Sequence, residues 1–62
     1  MNELSWWCYI HENGTLQVKR YLGPIDLEEA DESPFVKRRT DWFMATSRED
    51  AIAKGKALLG LP

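Results

Sequence analysis

Apolar and polar positions alternate along two early stretches of the chain. Leu4 to His11 reads LSWWCYIH, and Thr15 to Leu22 reads TLQVKRYL. A period of two sends successive side chains to opposite faces of a strand. The aromatic and β-branched residues in both stretches suit a half-buried pleated surface. Glu12-Asn13-Gly14 joins them, and two registers are open to the resulting hairpin. A two-residue Asn13-Gly14 turn sets His11 against Leu16 and puts Trp6, Cys8 and Ile10 on the face of Gln17 and Lys19. A three-residue loop with Gly14 left-handed pairs Ile10 with Leu16, Cys8 with Val18 and Trp6 with Arg20. Only the second gathers the apolar residues on one face. A one-residue slip moves a whole side-chain set to the wrong face, so the three-residue loop is the expectation.

Gly23-Pro24 ends the hairpin. In IDLEEADESP, Asp26 is a candidate cap for a helix of one or two turns, with Glu28 and Glu29 in its first turn. Ile25, Leu27 and Ala30 are expected inward, and Ser33-Pro34 stops the helix. PFVKRRTDWFMA then reads as extended, either as one bent strand or as two short ones, with Arg39-Thr40-Asp41 as a turn or bulge. In ATSREDAIAKGKALLGLP, Ser47 is an N-cap and Asp50 sits three residues later, as in a capping box. The spacing predicts a helix from Arg48 to Leu59, stopped by Gly60, with Ala51, Ile52, Gly55, Leu58 and Leu59 as its apolar stripe. Gly55 in mid-helix costs about 1 kcal/mol against alanine. Close packing of helix on sheet, against a tryptophan, is the expected compensation.

These elements assemble into a single α+β domain over residues 1–62. The expectation is a small antiparallel three-stranded sheet with the C-terminal helix packed on one face and a short acidic helix between strands 2 and 3. The expected core is Trp6, Cys8, Ile10, Leu16, Val18, Phe43, Ile52, Leu58 and Leu59. A chain of 62 residues has little room for more. Chains of about 60 residues bury only about 60% of the surface their unfolded form exposes, so large aromatic side chains must carry much of the stability.

Composition narrows the function. Apolar residues make up 44% and charged residues 29%, a balance that argues for a globular chain over a disordered one. A net charge of −2 gives no global attraction to nucleic acid or anionic lipid. No apolar run is long enough to span a bilayer, and MNELSWW does not read as a signal peptide. Cys8 is the lone cysteine, which excludes a disulfide within the chain and fits a cytoplasmic location.

Catalytic chemistry finds few candidates. His11 is the single histidine and sits beside a tight turn, where it reads as a solvated strand-end residue. Cys8 falls on the core face and reads as a small hydrophobe. Asp26, Glu28, Glu29, Asp31 and Glu32 lie on a helical pattern without the internal glycine of a calcium loop. No metal, cofactor, catalytic residue or small-molecule substrate is expected. The second sheet face remains, with Trp7, Tyr9, His11, Gln17, Lys19 and Tyr21. Exposed aromatics on a small domain are typical binding hot spots.

Strand, tight turn, strand, a third strand ending in Phe43, and then Ser47-Arg48-Glu49-Asp50-Ala51 opening a helix resemble the integrase arm-type DNA-binding domains. The same layout is similar to small bacterial and phage proteins of strand-strand-strand-helix plan. The resemblance implies a three-stranded face that enters the major groove, with Gln17, Lys19 and Lys37 as contacts. This chain departs from that pattern in its net acidity and its acidic insert. The favoured expectation is therefore a non-catalytic interaction module that binds a protein partner or itself through Trp7, Tyr9, Lys19 and Tyr21. The alternative is a nucleic-acid-binding module using Gln17, Lys19, Lys37, Arg38 and Arg39.

Overall fold

A computed structural model describes residues 2–62. The elements run β1 (Leu4–His11), β2 (Leu16–Arg20), α1 (Pro24–Glu32), β3 (Val36–Arg39), β4 (Phe43–Ala45) and α2 (Arg48–Leu59). The fold is α+β. β1 is the central strand, with β2 antiparallel on one side and both β3 and β4 antiparallel on the other. The third extended stretch is thus two short strands laid end to end along β1. Between them Thr40 is buried; its N–H donates to the Cys8 carbonyl at 2.9 Å. Its hydroxyl accepts from the Cys8 N–H at 3.1 Å, supplying an acceptor where the ladder is broken.

The hairpin has the three-residue register. Trp6 lies opposite Arg20, Cys8 opposite Val18 and Ile10 opposite Leu16. Gly14 sits at φ 91°, a region that L side chains rarely adopt. The loop is closed by Gly14 N–H to the His11 carbonyl and by the Asn13 side chain, which accepts from the Thr15 N–H at 3.0 Å.

α2 begins and ends as its sequence predicts. Ser47 Oγ accepts from the Asp50 N–H at 3.1 Å, and Gly60 closes the helix at φ 72°. The Asp50 carboxylate in turn accepts from the Thr46 N–H at 3.0 Å, one residue before the usual capping-box partner. One face of the sheet packs under α2. There Trp6, Cys8, Val18, Ala45, Ala51 and Leu59 form the core, with Ile10, Leu16, Phe43, Ile52 and Leu61 packed around it. Gly55 meets Cys8, not a tryptophan, and a Cβ there would overlap the Cys8 sulfur. Leu58 is a correction, since 61% of it is exposed. The helix touches the sheet along the i, i+4 ridge Ala51, Gly55, Leu59, so Leu58 is turned about 100° from the last contact.

α1 covers the opposite face, so the sheet lies between two helices. Its N-cap is Gly23, with Pro24 in the first turn, three residues earlier than an Asp26 cap would give. Asp26 instead accepts from the Leu22 N–H at 2.7 Å and ties the helix to the end of the hairpin. Ala30 is buried and Leu27 half-buried, but Ile25 is exposed, because it lies about 140° around the helix from Ala30. Arg39 of β3 clamps α1 through both carboxylate oxygens of Asp31, at 2.6 and 2.9 Å, and also donates to Asp41 at 3.1 Å.

Candidate interaction surface

The pleat of β1 and β2 sends Ser5, Trp7, Tyr9 and His11, with Gln17, Lys19 and Tyr21, to the α1 side of the sheet. The residues read from the sequence as one open surface separate into a covered part and an open part. Trp7 is the main correction. It is 5% exposed, held beneath α1 with its ring stacked on Tyr9 at 5.4 Å between centroids. An alternating strand reads the same whether its second face meets water or another helix, and the helix that covers Trp7 lies elsewhere in the chain. Trp7 is therefore closed off from water on the α1 side, where it and the buried Ala30 line the same groove. Its Nε1 is a buried donor without a partner among the described residues. Tyr9 is half-buried beside it.

Between α1 and β2 a groove of about 350 Å³ remains. Trp7, Tyr9 and Val36 line it together with Lys19 and Leu22 from the hairpin side and Asp26, Glu29 and Ala30 from α1. Its walls thus oppose a cation to carboxylates. Lys19 is exposed and forms no ion pair among the described residues.

Beyond the end of α1's cover the face opens onto a second aromatic pair. Tyr21 stacks on Trp42 at 5.7 Å with the planes 16° apart. Trp42 is 51% exposed, Met44 is also exposed, and neighbouring Leu22 is 82% exposed. Ser5 faces Met44 across the sheet, and its hydroxyl donates to the Tyr21 carbonyl at 3.2 Å. A small residue at position 5 leaves room for rings from both flanks. Trp42 and Met44 belong to this surface, although they were read from the sequence only as part of the third extended segment. The available signal was the placement of Trp42 just after the Arg39-Thr40-Asp41 break, where no strand partner buries it.

The basic candidates do not form one cluster. Arg39 is held by Asp31 and Asp41, and its guanidinium is pushed further above its ordinary pKa by those hydrogen bonds, so its donors are already used. Lys37 and Arg38 are exposed on β3, while Gln17 and Lys19 stand on β2 at the far side of β1. The acidic helix α1 lies over the face between them. His11 stacks on Phe35 at 5.9 Å, and its Nδ1 accepts from the Asn13 N–H at 3.2 Å, a turn-supporting role. Cys8 is fully buried, and burial pushes its thiol pKa up. Among the described residues no group of acids, histidine and cysteine is placed to hold a metal. No helix among the described residues is long and apolar enough to cross a membrane. Compared with family models, curated proteins and solved structures, the chain matches none.

Proposed function

We propose that the protein is a non-catalytic interaction module that binds a protein partner through the open end of its second sheet face. The carrying observation is the exposed, stacked Tyr21–Trp42 pair with Leu22 and Met44 at its border. Rings held by stacking lose little conformational freedom on binding, and tryptophan and tyrosine anchors supply much of the affinity of protein interfaces. Lys19 and the adjoining groove form a polar flank to this apolar centre. Of the contacts expected from the sequence, Tyr21 and Lys19 keep their role, Tyr9 contributes from the groove floor, and Trp42 takes the place of Trp7.

A nucleic-acid role through Gln17, Lys19, Lys37, Arg38 and Arg39 is less favoured. It would bring phosphates against five carboxylates on α1, and Arg39 is already paired. The test is a photo-crosslinking residue placed at Leu22, on the border of the aromatic pair, and, as a control, at Glu28 on the outer face of α1, used in extracts of the source cells. Protein adducts at position 22 that vanish with Trp42→Ala or Met44→Glu, and are missing from position 28, support the reading. Adducts to nucleic acid alone, or equal yields from both positions, overturn it.

A further inference from the structure

The backbone phase of the hairpin determines which groups of β2 face outward. Tyr21 N–H donates to the Ser5 carbonyl at 2.9 Å, and His11 N–H donates to the Thr15 carbonyl at 2.8 Å. Residues 15, 17, 19 and 21 therefore direct their main-chain groups into β1. Leu16, Val18 and Arg20 direct theirs to the open side, because alternate residues in an antiparallel strand point their N–H and C=O in opposite directions. Among the described residues, one contact reaches that edge: Arg48, the first residue of α2, donates from Nη1 to the Val18 carbonyl at 3.3 Å. The opposite edge is broken at Thr40 and blocked at Met44, whose carbonyl accepts from Lys54 Nζ at 2.9 Å. α2 thus crosses the sheet and places one cation on each edge. The β2 edge is the regular one, and an unpaired regular edge is a template for another strand.

We propose that the β2 edge is a latent pairing surface for a second copy of this chain, and that Arg48 is the latch that keeps it closed. The sequence of β2 is compatible with its own antiparallel image. A two-fold pairing about Val18 sets Val18 against Val18, Leu16 against Arg20 and Gln17 against Lys19 of the second copy. No two like charges stand directly opposite. Val18 and Leu16 would then extend the apolar stripe beneath α2 into the second sheet, and the outward groups of residues 16, 18 and 20 would supply about six main-chain hydrogen bonds. Arg48 must leave the Val18 carbonyl before any of these can form around the two-fold axis. This edge adjoins the Tyr21–Trp42 end, with Lys19 at the border of both.

Arg48→Ala, followed by sedimentation over a concentration series and by amide hydrogen exchange, tests the latch. The variant should dimerise with a dissociation constant at least about tenfold below that of the parent, a change of about 1.4 kcal/mol. The amides of Val18 and Arg20 should become protected in the dimer. Adding Gln17→Lys sets lysine 17 against Lys19 of the second copy and should restore the monomer. Arg48→Met, which keeps the aliphatic stem, replaces the alanine variant if that one loses its helix. A variant that stays as monomeric as its parent overturns the proposal. So does association that leaves those amides unprotected, or that survives Gln17→Lys and is removed by Trp42→Ala.

Discussion

Gly55→Ala sets two well-understood effects against each other at one atom. The exchange favours the helix by about 1 kcal/mol, because glycine loses more backbone freedom on entering a helix. The new methyl, however, falls on the Cys8 sulfur, while the Cys8 Cβ at 3.5 Å and Phe43 Cζ at 3.8 Å are at ordinary contact. The sulfur has little freedom to move away. Cys8 is fully buried among Trp6, Val18 and Ala45, and its sulfur lies 3.8 Å from the Thr40 hydroxyl. Forcing an extra methyl into a packed core costs about 1–3 kcal/mol. The net expectation is a loss of about 1 kcal/mol, which lowers the melting temperature of a domain this small by about 4–8 °C. Cys8→Ala alone should also destabilise, because it leaves a void where the sulfur was. In the double variant the alanine 55 methyl occupies that space. Urea unfolding followed by tryptophan fluorescence on all four proteins gives the coupling energy, expected at about 1 kcal/mol or more in favour of the double variant. Additive effects, or a Gly55→Ala protein more stable than the parent, would refute the close approach of α2 to β1.

The orphaned indole N–H gives a second test. Trp7→Phe removes no hydrogen bond, so it should cost well under the roughly 3–5 kcal/mol expected of Trp7→Ala in the same unfolding experiment. Acid should loosen the molecule at two carboxylates. Hydrogen bonds from Arg39 hold Asp31 below its ordinary range, and the Thr46 backbone N–H, followed by Lys54, does the same for Asp50. Both folded pKa values are depressed, so their contribution is complete above the unfolded value of about 3.9 and is lost as pH falls through the folded value. Asp31→Asn and Asp50→Asn should each flatten the dependence of urea midpoint on pH below about 5; an unchanged slope would remove these pairs from the acid response.

The hairpin and α2 were legible because local chemistry and global pattern agreed. Gly14 has the positive φ that the loop requires, and the register it implies is the one that collects Trp6, Cys8 and Val18. Ser47 and Gly60 bracket α2 with bonds that depend only on neighbouring residues. The compensation for Gly55 was correctly sought in close packing, but the neighbour is Cys8, a side chain slim enough to let the backbones approach. The α1 start was misplaced because Asp26 suits either a cap or a first turn, and its bond to the Leu22 N–H decides for the latter. The fate of Trp7 depends on where α1 lands, a long-range outcome with no local marker. Its burial moved the candidate surface to Trp42, which the alternation of the hairpin could not indicate.

The position of β1 bears on synthesis at the ribosome. It precedes every strand it pairs with, yet it lies in the middle of the finished sheet. As the nascent chain lengthens, β2 can zip onto one flank almost at once. The other flank must wait for residues 36–45, and Trp6 and Trp7 point to opposite sides of that waiting strand. The Trp7 indole therefore stays open to chaperones until α1 forms and the Trp6 indole until α2 emerges, and any pause in translation between Arg20 and Val36 would prolong the interval.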